Sequence, residues 1–421
     1  MKMYNFTDKG LDIFTAILIF IASFIFYYLG CKELLTAGFY QQINIAFDLD
    51  QSHFFYSVAH DIDTERLLLI KHPFIYLYNY VIHALRLVGV SDNIAVIGLA
   101  QCFHSGSLVV SYYVFRTIGR TTLESGFLTF GLAGTSTYIS TGLVLDVYSL
   151  SIFWISAIFL VICKAEYQKQ TGSIWLRSLI SIMAIGTTSY LIVLVILMEL
   201  SLEKKEGIKF YNIFSSKLFY QQLFRIAVIG LMIFIIIYFQ VIIEISQDPI
   251  GVLKRIFWTV NRPGDKEGIV QVISVFSLFS ILSPKVTSIL LPEGITMIDL
   301  RDMDFSFLGW FIIILLTLSI VFKFKNNNKN HCFLWLICLF WLAFNVIFHT
   351  IYQYRGSLFL YTGHFILSVW IIYFTPVKIF SDNIKWQQEI FNKFDILFVY
   401  ILPFLIWGNN IYLYEKIQEI M

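Results

Sequence analysis

Two aspartates one residue apart, Asp48 and Asp50, are followed by His53 and form the first group of side chains with catalytic chemistry. Carboxylate oxygens ligate divalent cations, and a carboxylate beside a substrate hydroxyl can take its proton. Acids also occur in loops simply because they belong in water, so a solvated acidic loop is the alternative. We favour a general base without an obligatory cofactor; any divalent cation would lie between Asp48 and Asp50.

Three cationic side chains have the chemistry to bind a phosphate. Lys71 and His72 stand directly before Pro73, and Arg355 precedes a C-terminal apolar run. A guanidinium fork matches the oxygens of a phosphate, whereas an arginine at the end of a membrane helix can also simply reach toward water. We predict Lys71, His72 and Arg355 to bind an anionic group.

A further acid and two ring side chains lie in or beside apolar segments. Asp146 stands alone between two such segments and is followed by Tyr148, while His364 lies within another. An isolated aspartate there is either a helix cap or a functional acid at the depth of the membrane interface. A lone histidine in an apolar helix is more often bonded to a neighbouring helix. We predict Asp146 as a second catalytic acid, and His53, Tyr148 and His364 as substrate-binding residues.

The elements that must position these residues are membrane helices. Of 421 residues, 58% are hydrophobic and 14% charged, against about 25% charged in a soluble domain. Several apolar runs reach the roughly 17–25 residues that cross a bilayer as a helix, and they lack the alternation of barrel strands. These runs are Leu11–Leu29, Phe224–Ile245, Ser306–Phe322, Cys332–Tyr352 and Ser357–Pro376. The pattern predicts an all-α, polytopic bundle of roughly ten or eleven transmembrane helices.

The distribution of Lys and Arg predicts the path through the membrane, because cytoplasmic loops carry an excess of both. With Arg116 and Arg120 inside, the first span runs outward and residues 30–92 form a first outer loop. The further predicted crossings are Asn93–Phe115, Ser125–Gly142, Val147–Cys163 and Phe394–Leu413. The chain is predicted to be a single membrane domain, 1–421, with a second outer loop region at 246–305.

Three apolar segments do not fit a single straight crossing. Ser173–Leu200 begins and ends beside positive loops, and its Gly-Thr-Thr-Ser sequence at 186–189 predicts a break between two short helices of a hairpin. His72–Val90 is predicted to be an amphipathic helix along the outer surface. Ile269–Leu291 is interrupted by Pro284 and Lys285 and is predicted to be partly interfacial.

This layout resembles the GT-C superfamily of membrane glycosyltransferases. The similar features are an N-terminal span, an outer loop that opens with acids, and a basic residue before Pro73 at the start of an interfacial helix. An outgoing helix after Arg116–Arg120, with an acid at the next outer turn, fits the same layout. The resemblance covers residues 1–200, and the C-terminal half is only loosely comparable. The sequence departs from the best-known members in having a single proline after His72.

The resemblance implies that a sugar carried on a polyprenyl phosphate is transferred on the outer side of the membrane. By position, Asp48 or Asp50 falls at the family's first-loop acid, the general base; Lys71 and His72 fall near the donor phosphate; and Asp146 falls at the second outer acid. The Asn-, Lys-, Ile- and Phe-rich composition is similar to that of bacterial enzymes that decorate O-antigen, including serotype-converting glucosyltransferases.

We therefore expect a hexosyltransferase, inverting or retaining, in the bacterial cytoplasmic (inner) membrane with its site facing the periplasm. Its expected partners are a polyprenyl-phosphate-linked sugar, a lipid-linked or lipopolysaccharide glycan acceptor, and membrane lipids. The net charge of +2 says little about partners, but the lack of a basic stripe speaks against a nucleic acid.

Two rival functions predict different sequence features. An O-antigen polymerase is expected to carry two large, Arg-rich outer loops, but the first loop here is acidic. A lipid-linked glycan flippase or transporter is expected to show internal repeats and paired charges at mid-membrane, whereas the acids here gather in outer loops.

Overall fold

The computed structural model describes residues 6–41, 46, 54, 58, 72, 74–170, 172–205, 220–232, 235, 269–290, 296–325, 332–351, 359–376 and 395–419. Over these residues the chain is mainly helical. Four helical segments are long and apolar enough to cross a membrane: Lys9–Thr36, Asp92–Thr117, Val147–Gln168 and Phe333–Ile351. They indicate a helical membrane protein, and the larger number of spans stays a prediction.

The described residues contain thirteen α-helices, numbered here in chain order. They are α1 (Phe6–Thr36), α2 (Ile75–Leu87), α3 (Asp92–Thr117), α4 (Thr122–Ala133), α5 (Ser136–Leu143), α6 (Val147–Cys163), α7 (Ile174–Thr187), α8 (Ile192–Lys205), α9 (Ile269–Ser274), α10 (Phe307–Lys325), α11 (Cys332–Ile351), α12 (Ile366–Phe374) and α13 (Leu402–Gln418). Residues 220–232 are also helical. Short 3-10 or π turns are Phe39–Gln41, Lys164–Gln168, Ser189–Leu191, Val275–Phe279, Phe359–His364 and Leu397–Ile401.

Several predicted spans are confirmed as helices. Val147–Cys163 has the predicted bounds, and α1, α3, α10 and α11 cover their predicted runs with ends that differ by a few residues. The predicted helix within His72–Val90 is confirmed as α2, with Tyr78 buried and Leu87 exposed. Of the predicted span Phe224–Ile245, only residues 224–232 and 235 lie in the described part, and they are helical.

Helix α3 lies at the centre of the bundle, between α1 and α6. Its buried face carries small polar residues, which let helix backbones approach closely in a membrane. The hydroxyls of Ser111 and Ser156 lie 3.3 Å apart and join α3 to α6.

Helices α1 and α3 run antiparallel, because their contacts pair opposite ends. The Arg116 guanidinium donates two bonds to Asp12, from Nε to Oδ1 at 2.8 Å and from Nη2 to Oδ2 at 3.1 Å. At the other end, the Gln101 amide donates to Cys31 Sγ at 3.2 Å. We call the end that holds Asp12 and Arg116 the ion-pair end.

Arg120 brings the C-terminal helices to the ion-pair end. Its Nη2 donates to the Phe374 carbonyl at 2.8 Å and to Asp395 Oδ1 at 2.8 Å. Phe374 ends α12, and His364 lies just before α12 begins. Nine helical residues rise roughly 13 Å. His364 therefore lies about that distance from the ion-pair end, toward the opposite end of the bundle.

The predicted break in Ser173–Leu200 is confirmed. Helix α7 ends at Thr187, a 3-10 turn covers Ser189–Leu191, and α8 follows. Arg177 in the first turn of α7 pairs with Glu199 in the middle of α8, with Nη1 and Oε2 at 3.5 Å. The two helices therefore form a hairpin, with its turn at residues 188–191.

The prediction of one helix over Ser125–Gly142 is wrong. The chain breaks between α4 and α5, where Thr135 caps α5 by accepting from the Tyr138 amide. The backbone groups at the break are bonded by other segments: the Thr137 amide donates to the Ser280 carbonyl at 3.2 Å, and Asn410 Nδ2 donates to the Gly134 carbonyl at 2.8 Å. Hydrogen bonds from other segments of the protein therefore satisfy these backbone groups, and we call this a closed break.

The all-α prediction needs one correction, because two short strands are present. Strands β1 (Thr287–Leu290) and β2 (Thr296–Asp299) pair antiparallel, and β1 lies at the end of the segment Ile269–Leu291 that is predicted to be partly interfacial. Ala46 of the first predicted outer loop forms a parallel bridge with Ile298. The two predicted outer loop regions therefore meet at β2.

The prediction of a helical span over Ser357–Pro376 also needs correction. The described part begins with the 3-10 turn Phe359–His364, and α12 has only nine residues. Trp341 Nε1 donates to the His364 carbonyl at 2.8 Å, so a side chain of α11 bonds the backbone where the 3-10 turn meets α12.

Candidate functional site

A cluster of histidines and tyrosines gathers where the hairpin turn meets the start of α12. The Tyr190 hydroxyl is hydrogen-bonded to Nδ1 of His364, and the two rings lie edge to face with centroids 4.8 Å apart. The Tyr148 ring also packs against the His364 imidazole, with ring centroids 4.7 Å apart. We call the group His72, Tyr148, Tyr190, His349, Tyr361 and His364 the histidine cluster.

His349 and Tyr361 complete the cluster from the C-terminal half. Their rings stack with centroids 3.8 Å apart, and both residues are buried. His349 also contacts the Tyr190 ring, at 6.0 Å. Both His349 and His72 are close enough to His364 to interact with it electrostatically.

His72 joins the cluster through the turn of the hairpin. Its Nδ1 lies 2.7 Å from the carbonyl oxygen of Thr187, and the side chain is partly buried. Because a carbonyl only accepts hydrogen bonds, Nδ1 carries a hydrogen and donates it. This contact fixes the orientation of the imidazole ring.

Close packing holds the segment around His72 against the hairpin. The Phe74 amide donates to the Gly186 carbonyl at 2.6 Å, and a Cβ at Gly186 would lie 2.1 Å from the Phe74 ring. The Tyr78 hydroxyl lies 3.0 Å from Thr187 Oγ1 and accepts from Trp154 Nε1 at 3.0 Å. Only glycine fits at position 186.

Asp146 occupies the N-cap of α6. It is 8% exposed, and its carboxylate accepts from the Val147 amide at 2.5 Å. Tyr148 follows in the first turn of α6, so the same helix start holds the acid and a ring of the histidine cluster. The helix-cap interpretation is therefore correct, and a cap does not exclude a second role for the carboxylate.

His364 contains a buried nitrogen that needs a partner. The residue is 0% exposed, and its Nε2 has no hydrogen-bond partner in the part of the chain that the structure describes. A buried donor left without an acceptor costs about 1–3 kcal/mol. A ligand or water oxygen at Nε2 would remove that cost.

Three of the predicted site residues are brought together, and five lie outside the described residues. His72, Tyr148 and His364 converge on the histidine cluster, with Asp146 two residues from Tyr148. The predicted residues outside the described ranges are Asp48, Asp50, His53, Lys71 and Arg355.

Three residues of the first predicted outer loop belong to the described part of the chain, and they show where the loop contacts the helices and strands. Ala46, Phe54 and Val58 are all buried, and the Val58 carbonyl accepts from Asn79 of α2 at 3.0 Å. The loop is thus bonded to α2 at Val58 and to β2 at Ala46.

Tyr190, His349 and Tyr361 belong to the cluster and were missed in the sequence. Each lies in an apolar stretch, and the only available signal was a polar ring among aliphatic neighbours. Their proximity depends on tertiary packing between the hairpin, α11 and the 3-10 turn before α12.

The chemistry of the cluster is hydrogen bonding and ring contact with a polar ligand. Among the described residues no group of three His, Cys, Asp or Glu side chains could hold a metal ion. The predicted cation ligands, Asp48 and Asp50, lie outside those residues. Imidazole and phenol groups both donate and accept, as the hydroxyls and phosphate oxygens of a sugar phosphate require.

Comparison of the chain with protein-family models and with curated proteins gives no match.

Proposed function

We propose that the protein is a membrane glycosyltransferase of the GT-C type, which moves a sugar from a polyprenyl phosphate to a glycan or lipid of the cell envelope. The observation that carries the proposal is the convergence of His72, Tyr148 and His364. These residues come from distant parts of the chain, and the sequence pattern marks each of them for donor or acceptor binding. O-antigen or lipopolysaccharide is the proposed acceptor class, on the periplasmic face of the bacterial inner membrane.

The proposed reaction needs a base and a cationic site. The acceptor hydroxyl attacks the anomeric carbon, its proton passes to a carboxylate, and the bond from that carbon to the phosphate oxygen breaks. Asp48 or Asp50 is the proposed base, with Asp146 as the second acid. Lys71, His72 and Arg355 are proposed to stabilise the phosphate that leaves.

The closed break between α4 and α5 supports an enzyme over a transporter. Transporters commonly use broken helices whose free ends bind substrate or ions near mid-membrane. Here Asn410 and Ser280 bond the Gly134 carbonyl and the Thr137 amide at the break. A polymerase with two Arg-rich outer loops is the remaining rival within enzymes.

The test is transfer of labelled sugar from polyprenyl-phosphate hexoses in membranes that contain the full chain. We expect transfer by the wild type and loss of transfer in the Asp48→Asn and Asp50→Asn double variant, with at least one single variant strongly impaired. Asp302→Asn is the matched control, since Asp302 is an exposed acid of the second predicted outer loop. We expect it to keep wild-type transfer.

Two results would contradict the proposal in different ways. Full transfer by the double aspartate variant would exclude the first-loop acids as the base. Movement of the lipid-linked sugar across the membrane, without transfer by the wild type, would instead establish the flippase function.

A further inference from the structure

The end of α5, which leads into Asp146, depends on contacts with other elements for its position. Helix α5 has only eight residues, and a helix that short is marginal without tertiary packing. Residues 144–146 connect it to α6, and we call them the Asp146 connection. The place of the Asp146 carboxylate is therefore set by whatever holds the end of α5.

Two helices bond the carbonyl of Gly142, the residue next to the end of α5. The last carbonyls of a helix have no partner within it. Gln101 Nε2 of α3 donates to the Gly142 carbonyl at 2.7 Å, and Cys31 Sγ of α1 lies 3.1 Å from it. Both side chains are 0% exposed. The Gly142 carbonyl is thus fixed relative to α1 and α3.

The carbonyls on either side of Gly142 are bonded as well. The Tyr40 hydroxyl, from the 3-10 turn that follows α1, donates to the Leu143 carbonyl at 2.6 Å. The Ser149 hydroxyl of α6 donates to the Thr141 carbonyl at 2.6 Å. Three successive carbonyls at the end of α5 are therefore held by side chains from four elements.

Close packing at Gly142 restricts the same helix end. A Cβ at position 142 would lie 2.5 Å from the Tyr27 ring and 2.8 Å from His104 Nε2, so only glycine fits. On the far side of the connection, the Ser149 amide donates to the Asp146 carbonyl at 3.0 Å. The Asp146 connection is thus held at both of its ends.

These bonds lie far from the ion-pair end. From position 101 to position 116, fifteen residues of α3 rise about 22 Å. Tyr40 also belongs to the first predicted outer loop, the segment that contains the proposed base. The bonds therefore join the start of that loop to the connection that carries Asp146.

We propose that Gln101, Cys31 and Tyr40 are positioning residues that orient the Asp146 carboxylate for sugar transfer. The proposal rests on the proposed function, in which Asp146 is the second acid. Proton transfer requires the acid within hydrogen-bond reach of the reacting group, so a displaced carboxylate slows the reaction. The alternative is that the three side chains only satisfy carbonyls at a helix end. The two roles predict different kinetics.

The first test measures kcat and KM for a labelled polyprenyl-phosphate hexose, with the full chain in lipid nanodiscs. Tyr40→Phe and Gln101→Met each remove one bond and keep most of the side-chain volume. We expect kcat to fall about threefold to tenfold, with KM for the donor changed less than about twofold. Tyr27→Phe is the matched control, because its hydroxyl bonds the Ala133 carbonyl at the same 2.6 Å, at the end of α4. It should keep the wild-type kcat.

A double-variant cycle separates positioning from general stability. In the Asp146→Asn background, Tyr40→Phe and Gln101→Met should lower the remaining kcat less than about twofold, because the carboxylate that they orient is gone. If the side chains only support the helix end, each substitution lowers kcat by the same factor in both backgrounds.

Two substitutions of Cys31 test whether its hydrogen bond matters. Serine and alanine both replace the thiol by a smaller group, but only serine keeps a donor for the Gly142 carbonyl. Cys31→Ser should therefore keep a kcat about threefold higher than Cys31→Ala. This comparison needs no residual activity in the Asp146→Asn background.

Hydrogen exchange tests the position of the connection without any enzymatic reaction. In Tyr40→Phe and Gln101→Met, the amides of the peptide that covers residues 142–150 should exchange about threefold to tenfold faster. A peptide over residues 108–118, at the ion-pair end, should exchange at the wild-type rate.

Unchanged exchange in residues 142–150 overturns the proposal, as does faster exchange with unchanged kcat. An equal loss of kcat in the two backgrounds, or wild-type transfer by Asp146→Asn, overturns it as well. All four results leave the proposed function standing if the wild type transfers sugar. A wild type without transfer overturns the proposed function and the positioning role together.

Discussion

Asp12 and Arg116 form a two-point ion pair buried at one end of the bundle. The Arg116 side chain is 12% exposed and that of Asp12 is 5% exposed, with Nε and Oδ1 at 2.8 Å. The Tyr112 and Thr122 hydroxyls also donate to Oδ1 of Asp12, at 2.6 and 2.7 Å. One carboxylate therefore joins α1, α3 and the start of α4.

Loss of the Asp12 carboxylate should strongly destabilise the protein. Asp12→Ala leaves the buried Arg116 guanidinium without its counter-charge, which costs about 3 kcal/mol. The measurement is thermal unfolding in detergent, where we expect a clear fall in Tm. Sugar transfer by the fraction that stays folded should be retained, because the Asp12–Arg116 pair lies at the end of the bundle away from the histidine cluster.

The matched control is the exposed pair Arg86–Asp92. It has the same two-point geometry and the same 2.8 Å Nε–Oδ1 distance, but its side chains are 43% and 29% exposed. Asp92→Ala should cost less than about 1 kcal/mol. Equal losses of stability in Asp12→Ala and Asp92→Ala would show that burial does not determine how much an ion pair contributes to stability.

Asn410 should be essential for closing the break between α4 and α5. Its Nδ2 donates to the Gly134 and Ile281 carbonyls at 2.8 and 2.6 Å, and its Oδ1 accepts from the Ser283 amide at 2.7 Å. Asn410→Leu leaves these buried groups unbonded and should lower the free energy of unfolding by about 3 kcal/mol. Chemical denaturation in mixed micelles measures the loss.

Asn345→Leu provides the comparison for Asn410→Leu. Asn345 is also fully buried, but its Nδ2 bonds only within its own helix in the described structure, to the Trp341 carbonyl at 2.7 Å. The expected cost is below about 1 kcal/mol. A small effect at both positions would contradict the role assigned to Asn410.

The two roles of Asp146 can be separated by two substitutions. Asparagine caps a helix as well as aspartate does, so Asp146→Asn should keep the wild-type Tm. Because the amide cannot take a proton as a carboxylate does, the same variant should lower sugar transfer to about a tenth or less. Asp146→Ala should lose the cap as well, at about 1 kcal/mol. The measurements are Tm and transfer on the same membrane preparations. Wild-type transfer by the asparagine variant would reduce Asp146 to a helix cap.

Local sequence signals predicted much of the helical framework. The bounds of Val147–Cys163 follow from an apolar run that starts after an aspartate, and the break at 186–189 follows from Gly-Thr-Thr-Ser. The similar sequence Gly134-Thr135-Ser136 also marks a break, but it lay inside a run of the right length for one span. Length and hydropathy outweighed the local signal there.

The contacts of the candidate site could not be predicted, because they join segments far apart in the chain. Tyr190 and His364 are separated by 174 positions, and His72 and Thr187 by 115. Strand β1 was also missed, since its four residues, Thr-Ser-Ile-Leu, are too few to distinguish a strand from a helix end. Single residues could be marked as polar in apolar surroundings, but their partners depend on how the helices pack.

The bridge between Ala46 and Ile298 links the first predicted outer loop to β2 by backbone pairing. Backbone pairing has a fixed register, so an insertion or deletion in one segment displaces its partner. A chimera that exchanges only residues 30–92 with a related chain should therefore assemble poorly, whereas joint exchange with 246–305 should not. Over evolutionary time these two stretches are expected to change together and to be inherited as a unit.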